Sequence, residues 1–421
     1  MRSPSRRRAG STQPRRRPGR AHRPRTVAFL SDLPHHQVDG QLHGATPVVA
    51  QLARWGALFD ELVVCSPLLP GPPPPGFSPL PGRVRFEEVR AGGGNTRIAK
   101  LGLVVRIPGW AWRTRRLARR VDAVVLRCPS NVAAVALLST WRAVPFRAAI
   151  YAAAWEGYPG EPRPYALQRG ILASRWFEGP TLVYAQDPDG HRLEPSFSPS
   201  HDQRAWAAAA PAAEARVARI ATAPPEGPWQ LVVVGRLTPN KNQAVAIEAL
   251  ALLVARGLDV RLEVIGTGPQ RAALEDRARR RGVADRVAFL GEVDHDVVLE
   301  RLAAADLQLL PTRHEGYGKV LLEGMVVSVV PVLADGPAAE EIGGGGRRGI
   351  VVDASRPEAF ASAVADLLAD RPRWHAMATE ARAYAGSRTV ESFEARVREV
   401  LEGHWGVRLR DVDAEAREGR A

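Results

Sequence analysis

The sequence of 421 residues is poor in cysteine and has no long apolar run. Its two cysteines, Cys65 and Cys128, are too few for a disulfide framework or a zinc site, so we expect small buried side chains and a reducing compartment. No apolar stretch reaches the roughly 18–20 residues that a membrane-spanning helix needs. The basic N-terminus lacks the apolar segment of a secretory signal. These absences predict a cytoplasmic protein, with a peripheral position at the inner face of the membrane as a further option.

The net charge of +13 and the isoelectric point near 10.7 come mainly from one end of the chain. Residues 1–25 contain ten arginines and no acidic residue, and the remaining chain carries 48 Lys+Arg against 45 Asp+Glu. This arm is predicted to be disordered, because it has almost nothing to bury. It could attach to anionic lipid or nucleic acid, or it could be an unselected leader. The nearly neutral remainder does not favour a specific nucleic-acid-binding protein.

Strand-like and helix-like segments alternate through the rest of the chain, which predicts an α/β fold with two doubly wound parallel sheets. The strand-like segments include residues 26–34, 121–129 and 230–237. In such sheets ligands bind at the carboxyl ends of the strands, so we expect a site in the cleft between the two domains. The predicted divisions are an arm at 1–25, an N-terminal domain at 26–222, a C-terminal domain at 223–390, and a last helix with a charged tail at 391–421.

A cationic turn, VGRLTPNKN (234–242), follows one predicted strand. Gly235 allows a tight turn, and Arg236 and Lys241 place two cations at the carboxyl end of that strand. A guanidinium fork and an ammonium suit a diphosphate. The alternative is a solvated turn with surface charges. Two further glycine turns, GTGP (266–269) and FLGEV (289–293), are weak signals that fit ordinary turns as well.

The segment HEGYGKVLLEGM (314–325) carries two acids at a predicted helix start. Gly316 and Gly318 bracket an aromatic residue after Glu315, and Glu323 lies eight residues after Glu315. Amides at the helix start would hold anionic oxygens, and carboxylates next to phosphate would be stable if they bonded sugar hydroxyls. The alternative interpretation is one acid at a helix N-terminus and one solvated helix acid.

These four clusters, in this order and spacing, resemble the retaining glycosyltransferases of family 4, which have the GT-B fold. The motif resemblance covers about residues 230–355, and the N-terminal half resembles the family only in architecture. It implies that Arg236 and Lys241 hold the diphosphate of a nucleotide sugar and that Glu315 contacts the donor sugar. Glu323 would bond the ribose. Further implied donor-binding residues are Gly235, Glu292, Val293, Gly316, Tyr317, Gly318, Lys319 and Val320. Of these, Gly316, Tyr317 and Gly318 would offer backbone amides to sugar and phosphate, and Glu292 and Val293 would lie near the base.

The resemblance also implies features of the N-terminal side and of the chain's end. Gly40 or Gly44, in a predicted loop, would face the phosphates, and His43 is a candidate for a histidine near the reacting carbon. Trp155, followed by Glu156, is a candidate on the acceptor side. The last helix, at 392–405, would cross back to the N-terminal domain.

The implied reaction transfers a sugar from a UDP- or GDP-sugar to an acceptor hydroxyl with retention, and it needs no cofactor or metal. The triplets DPD (187–189) and DVD (411–413) resemble metal-binding motifs, but neither lies near the diphosphate cations. Alternatives are a nucleotide-sugar epimerase or phosphorylase of the same fold, or a glycosidase that uses the two glutamates. A lipid-linked acceptor would be consistent with the transferase.

A basic and apolar segment at 95–120 suggests a different class, a membrane-surface binding protein. It combines eight cationic side chains with Leu101, Val104, Ile107, Trp110 and Trp112. Apolar groups at the headgroup boundary and arginines facing anionic lipid are typical of interfacial helices. The alternative is an amphipathic helix that packs on the N-terminal sheet and has a solvated basic face.

Overall fold

The computed structural model describes most of the chain between residues 23 and 410. The described residues are 23–74, 76–82, 84–92, 97–158, 161–185, 189–222, 228–336 and 338–410. Most of the arginine-rich arm, the DVD triplet and two residues of the DPD triplet lie outside them. The end of the arm lies inside, where the Arg25 amide donates to Asp122 at 2.8 Å and the Arg25 guanidinium pairs with Asp60 at 3.0 Å.

The N-terminal half contains ten strands and six helices among the described residues. Its strands are β1 Thr26–Leu30, β2 His35–Val38, β3 Gln41–Ala45, β4 Glu61–Leu69, β5 Phe77–Pro79, β6 Val84–Val89, β7 Ala123–Cys128, β8 Phe146–Tyr151, β9 Thr181–Val183 and β10 Leu193–Pro195. Its helices are α1 Thr46–Ala57, α2 Arg97–Ala118, α3 Asn131–Ser139, α4 Arg163–Ala173, α5 Gln203–Ala208 and α6 Ala210–Thr222.

The C-terminal half alternates strands and helices more regularly. Its strands are β11 Trp229–Val234, β12 Val260–Ile265, β13 Val287–Gly291, β14 Leu307–Leu310, β15 Val330–Ala334 and β16 Ile350–Val352. Its helices are α7 Gln243–Ala255, α8 Arg271–Arg280, α9 His295–Ala304, α10 Lys319–Val326, α11 Ala339–Gly343, α12 Pro357–Ala369, α13 Arg371–Gly386 and α14 Val390–Trp405, with a short 3₁₀ turn at Ala284–Arg286.

Two separate sheets confirm the predicted α/β architecture. The first has the order β10-β9-β8-β7-β1-β4-β2-β3-β5, with β6 also paired to β4, and the second has the order β13-β12-β11-β14-β15-β16. Every pairing in the second sheet is parallel. Central strands such as β1 and β14 are buried along almost their whole length, as expected for parallel strands covered by helices on both faces. This is the GT-B arrangement.

The predicted loop that contains Gly40 and Gly44 is instead a β-hairpin. Strands β2 and β3 pair antiparallel, with His36 opposite His43 and His35 opposite Gly44. Gly40 takes φ +81° in the turn, a conformation that favours glycine. A Cβ on Gly44 would lie 3.0 Å from the His35 ring, so this glycine allows the histidine to pack against the strand.

The chain crosses between the domains twice. Helix α6, predicted to end the N-terminal domain, packs on the C-terminal domain, where the Arg216 guanidinium donates to the Val327 carbonyl at 3.1 Å. The chain therefore passes from the N-terminal to the C-terminal domain before α5, within residues 196–202, and not at the predicted boundary at residue 222. Helix α14 crosses back: its Trp405 indole donates to the Arg147 carbonyl at 3.1 Å, and His404 Nε2 lies 2.7 Å from Glu194.

Three smaller findings bear on the expectations from composition. Cys65 and Cys128 are free and buried, and burial raises the pKa of both thiols. None of the helices in the described ranges is both long and apolar enough to cross a bilayer. Over the same ranges, His, Cys, Asp and Glu side chains form no group of three or more that could hold a metal ion.

Candidate active site

The cleft between the two sheets contains two adjoining cavities of about 960 and 990 Å³. Six residues line both of them: Gln51, Ser198, His295, Val298, Lys319 and Glu323. The first cavity also contains the predicted donor residues Gly235, Lys241, Glu315, Gly316, Tyr317, Gly318 and Val320. The second contains Glu292 and Val293. The structure thus gathers most of the predicted donor site along one continuous cleft.

The cationic turn begins where β11 ends. Gly235 has φ +149°, and Lys241 follows in a short turn that leads into α7. The GTGP turn packs directly against it, since a Cβ on Gly266 would lie 2.2 Å from the Gly235 carbonyl oxygen and one on Gly268 would lie 2.4 Å from that of Leu237. Glycine is therefore required at both positions, because a side chain there would prevent the two backbone turns from packing against each other.

The two cations of this turn have different environments. The Lys241 ammonium donates to Glu315 Oε2 at 2.6 Å and lies in the first cavity. Arg236 is exposed and lines neither cavity, and within the described part of the chain its side chain makes no ion pair. The other oxygen of Glu315 accepts from the Gly316 amide at 3.2 Å. The structure therefore brings Lys241 and Glu315 together, whereas Arg236 lies outside the cavities.

Helix α10 starts at the cleft because Gly318 can take a left-handed conformation, with φ +73°, as its N-cap. The helix is fixed to β14 by Gln308, whose side-chain amide donates to the Val320 carbonyl at 3.0 Å. Gly324 makes this contact possible, since a Cβ there would lie 2.4 Å from the Gln308 Oε1. The amides at the first turn of α10 consequently have a fixed position at the cavity wall.

The side chain of Tyr317 is anchored in a buried cluster, and its ring centroid lies 5.3 Å from that of Tyr184 in the N-terminal wall of the cleft. Its ring is almost fully buried, and its hydroxyl lies 3.2 Å from the Tyr384 hydroxyl and 3.4 Å from Glu341 Oε1. The Arg388 guanidinium donates to the same oxygen of Glu341 at 3.2 Å. The side chain of Tyr317 therefore anchors the loop, which leaves its backbone amide for the role that the resemblance implies.

Glu323 and Lys319 lie one turn apart on α10 and are both largely buried in the cleft. Burial raises the pKa of Glu323, and the charges of His295 and Lys319 oppose that shift. Burial lowers the pKa of Lys319 to about 8, with a further contribution from the charge of Arg127, while Glu323 acts in the opposite direction. The end of the cleft near Glu323 therefore contains a desolvated acid and a desolvated amine.

The N-terminal wall of the cleft consists of residues that sequence reasoning missed. Its main members are Thr46, Val48, Gln51 and Arg54 of α1, Arg127 at the end of β7, residues 152–154 and Tyr158 after β8, and Tyr184 and Ser198. The Tyr158 ring stacks on His314 with centroids 4.5 Å apart, a contact that joins the domains beside Glu315. The positions just after β7 and β8 are the signal that could have found several of these residues.

Four predicted residues of the N-terminal side line neither cavity. Gly40 lies in the hairpin turn, and Gly44 and His43 lie on β3. Trp155 is buried in the core of the N-terminal domain, where it packs edge-on against Tyr151 with ring centroids 5.2 Å apart. Its neighbours at 152–154, and not its own side chain, form the wall.

The comparisons with known proteins agree with this geometry. Residues 216–384 match the group 1 glycosyl transferases. The C-terminal domain therefore belongs to that family, as the motifs predicted. Solved structures extend the likeness to the whole fold: the Anabaena protein HepE in complex with UDP has 17% identity and a TM-score of 0.63 over 90% of this chain and 100% of that one. Sucrose-phosphate synthase from Thermosynechococcus elongatus has 16% identity and a TM-score of 0.64 over 91% and 99%.

Curated relatives match in part of their length only. The chain is 35% identical over 140 residues to alpha-D-kanosaminyltransferase of Streptomyces kanamyceticus, which is 33% of this chain and 36% of the relative. It is 33% identical over 197 residues to the GDP-mannose-dependent alpha-(1-6)-phosphatidylinositol monomannoside mannosyltransferase of Mycolicibacterium smegmatis, which is 45% of this chain and 49% of the relative. The matched segments thus span between a third and a half of these relatives.

Proposed function

We propose that the protein transfers a sugar from a nucleotide-diphosphate sugar to an acceptor hydroxyl, with retention and without a metal ion. The observation that carries this proposal is the joining, in one cleft, of the Lys241–Glu315 ion pair, the start of α10, and Glu323. A sugar at Glu315 and a ribose at Glu323 would place the diphosphate between them. The ring of a base would then extend toward Glu292 and Val293 in the second cavity.

The proposed chemistry is electrostatic. As the bond between the anomeric carbon and the phosphate oxygen lengthens, the leaving diphosphate gains negative charge. Lys241 and the amides at the start of α10 stabilise that charge more strongly in the transition state than in the bound donor, which is the condition for catalysis. Arg236 contributes if its exposed side chain turns toward the diphosphate on binding. Because these groups supply positive charge themselves, the proposal does not require a metal, and retention follows from attack on the face that the phosphate leaves.

The acceptor class is proposed from the named relatives. One of them is a kanosaminyltransferase and another a phosphatidylinositol mannoside mannosyltransferase, so a glycolipid or a glycosylated metabolite is the acceptor that we propose. The donor is proposed to be a UDP- or GDP-sugar, since one structural neighbour was solved with UDP and one relative is named GDP-mannose-dependent.

A thermal-shift panel of UDP, GDP, ADP and their sugars tests the donor site. A ligand that binds the folded protein stabilises it by RT ln(1 + [L]/Kd), about 2.7 kcal/mol at a hundred times Kd. The variant Glu323→Gln should bind more weakly, and Arg175→Gln, an exposed arginine far along the sequence from the motifs, should bind as the wild type does. A folded protein that responds to none of these ligands would contradict the proposal.

A second assay separates the transferase from its alternatives. The protein is incubated with the nucleotide sugar that stabilises it, with and without candidate acceptors, and the free nucleotide is measured. Release that depends on an acceptor supports the transferase. Release that water alone supports indicates hydrolysis, release that needs phosphate indicates a phosphorylase, and isomerised sugar without release indicates an epimerase.

Helix α2 supports a second proposed property, attachment to an anionic membrane surface. Val105 and Trp112 are 75% and 60% exposed, Val104 is also exposed, and the Arg116 guanidinium lies 5.1 Å from the Trp112 ring centroid. Apolar side chains beside arginines suit the headgroup boundary of an anionic bilayer. Trp110, predicted to share this surface, is instead buried, and its indole donates to the Arg90 carbonyl at 3.0 Å.

Vesicle sedimentation tests this surface. The protein should sediment with vesicles that contain phosphatidylserine, and less so with neutral vesicles or in high salt. Replacing Val105 and Trp112 together by serine should abolish sedimentation. Leu167→Ser is the matched control, since Leu167 is an equally exposed apolar side chain on α4. No sedimentation of the wild type at low salt would exclude the proposal.

A further inference from the structure

We infer that Arg127 of the N-terminal domain and Lys319 of the C-terminal domain form a pair of cations that binds the donor diphosphate from opposite walls of the cleft. This inference rests on the proposed function and adds to it a binding group on the N-terminal domain, whose predicted phosphate-facing residues, Gly40 and Gly44, line neither cavity. It also assigns a role to two charges that form no ion pair with any residue in the described ranges.

Arg127 lies at the end of β7, the strand that pairs with the central strand β1. Its side chain lines the first cavity together with Lys241 and Glu315. The Nε atom is shielded from solvent and has no hydrogen-bond partner, and the guanidinium forms no ion pair within the described ranges of the chain. An arginine fork that is partly desolvated and unpaired in this way has a large unsatisfied capacity for an anion.

Lys319 faces the same space from the opposite domain. It is the first residue of α10 and lines both cavities. Among the residues that the structure describes, no carboxylate lies within ion-pair distance of its ammonium. After burial, the charge of Arg127 is the next cause that lowers the pKa of Lys319 and disfavours its protonated form. Two facing cations repel each other, and an anion placed between them removes that repulsion.

The position along the cleft identifies the anion as the diphosphate. Lys319 lies between Glu315, the proposed sugar contact, and Glu323, the proposed ribose contact, and the diphosphate is the part of the donor that joins sugar to ribose. Arg127 lines the cavity that holds Glu315 and not the one that holds Glu292. A guanidinium can bind two oxygens of a phosphate group at once, whereas a hydroxyl-rich sugar or a base offers no such charge.

The other cations of the motif cannot replace this pair in the observed geometry. Lys241 is already bonded to Glu315 at 2.6 Å, and Arg236 is exposed outside both cavities. Because Arg127 and Lys319 belong to different domains, a diphosphate held by both would also join the domains across the cleft. The inferred site therefore makes donor affinity depend on the N-terminal domain.

The test measures the affinity of the full-length protein for UDP, UMP and uridine, and for the guanosine series, by titration calorimetry. Arg127→Gln and Lys319→Gln should each weaken diphosphate binding roughly tenfold to a hundredfold, because each removes a charge-assisted contact. Both variants should change nucleoside affinity less than twofold. Arg127→Lys should recover part of the loss, since it restores the charge without the fork. Arg175→Gln is the matched control on the same domain and should behave as the wild type.

The outcomes are distinguishable. If the wild type binds neither nucleoside diphosphate, the proposed function and this inference both fail. If the wild type binds one of them and Arg127→Gln binds it equally well, the inference alone fails. It fails also if Arg127→Gln weakens nucleoside and diphosphate binding by the same factor, since that result indicates damage to the base or ribose site. Circular dichroism and the thermal midpoint of each variant establish that it is folded.

Discussion

The Lys241 ammonium lies 2.6 Å from Glu315 Oε2, so two side chains that the sequence assigned to separate parts of the donor are bonded to each other. Each is about a quarter exposed, at 26% and 27%, which leaves both accessible from the cleft. In the proposed donor site, this ion pair would fix the carboxylate at the sugar while its cation remains next to the diphosphate. We therefore expect Lys241 and Glu315 to contribute to the transfer rate jointly, and a double variant can measure this coupling.

The first prediction concerns that unit. Lys241→Gln and Glu315→Gln should each lower the transfer rate by about one to two decades, because each removes a charge-assisted contact worth roughly 1.5–3 kcal/mol. The double variant should lose much less than the product of the two single effects, since each single change already leaves the other partner unpaired. The measurement is kcat/KM for donor consumption in the presence of acceptor.

Arg256→Gln, an exposed change at the end of α7, serves as the control and should keep the wild-type rate. Multiplicative losses in the double variant would show that Lys241 and Glu315 act independently and would contradict the prediction.

The donor half of the site could be predicted from sequence because its positions are set locally. Gly235 ends a strand, and Glu315 to Glu323 span one loop and one helix start, so their spacing along the chain fixes their spacing in space. Gln51 could not be found this way, because its place in the cleft depends on which elements are neighbours and on how the two domains face each other. Arg127 has one local signal, its position at the end of a predicted strand, but that signal does not show what the side chain faces across the cleft.

The sequence contains a local signal for a hairpin where we expected a loop. Apolar and polar residues alternate on either side of the Asp39–Gly40 pair, which is a strong hairpin signal. The structure has a hairpin there. For Tyr317 the resemblance implies only a backbone contact, and no local pattern predicts the buried cluster in which its ring packs. The direction of a side chain in a tight loop follows from tertiary packing, because Glu341 and Tyr384 are distant in sequence.

The second prediction concerns pH. Burial and the Arg127 charge lower the pKa of Lys319 to about 8, so the amine is protonated below pH 8 and loses its charge above it. If Lys319 binds the diphosphate, affinity for UDP or GDP should be flat from pH 6.5 to 7.5 and should fall by up to tenfold per pH unit above 8. Calorimetric titration between pH 6.5 and 9.5 measures this dependence.

Lys319→Arg is the matched variant, because a guanidinium stays protonated across that range. In Lys319→Arg the affinity for UDP or GDP should remain measurable and should decline less steeply above pH 8 than in the wild type. An equally steep decline in Lys319→Arg would assign the pH dependence to another group.

The third prediction concerns His35, which packs under the hairpin. The ring is 1% exposed, its Nδ1 donates to the Leu33 carbonyl at 3.1 Å, and burial lowers its pKa to about 4. The unfolded chain, with an ordinary pKa near 6.5, therefore binds a proton more readily than the folded one. The contribution of His35 to the free energy of unfolding is fully present above pH 6.5. It is lost as the pH falls toward 4, by about 3 kcal/mol in all.

Urea unfolding at pH 7.5, 6 and 5 tests this in wild type and in His35→Asn. The variant should be less stable at pH 7.5, because it leaves space beside Gly44, but its stability should fall less steeply with acid. His375→Asn, an exposed histidine on α13, should keep the wild-type slope. If the free energy of unfolding falls equally steeply with acid in the wild type and in His35→Asn, His35 is not the group that titrates.

The fourth prediction concerns the buried cluster that anchors the donor loop. One oxygen of Glu341 accepts from the Tyr384 hydroxyl at 2.7 Å, from Tyr317 at 3.4 Å and from Arg388 at 3.2 Å. Glu341→Ala removes the shared acceptor and leaves the partly exposed Arg388 guanidinium without its carboxylate, which should cost about 1.5–3 kcal/mol of folding free energy. Tyr317→Phe removes two long contacts of the hydroxyl, at 3.4 Å to Glu341 and at 3.2 Å to Tyr384, and should cost about 1 kcal/mol.

The two variants should also separate stability from binding. Tyr317 is flanked by Gly316 and Gly318, so loosening its ring frees the amides at the start of α10, and Tyr317→Phe should raise the Kd for UDP or GDP severalfold at a temperature where the protein is fully folded. Tyr165→Phe, a partly buried tyrosine of α4, is the control and should leave that Kd unchanged. An unchanged Kd in Tyr317→Phe, with the expected loss of stability, would mean that the loop keeps its conformation without the cluster. The amides at the helix start would then be held by Gln308 and the α10 backbone alone.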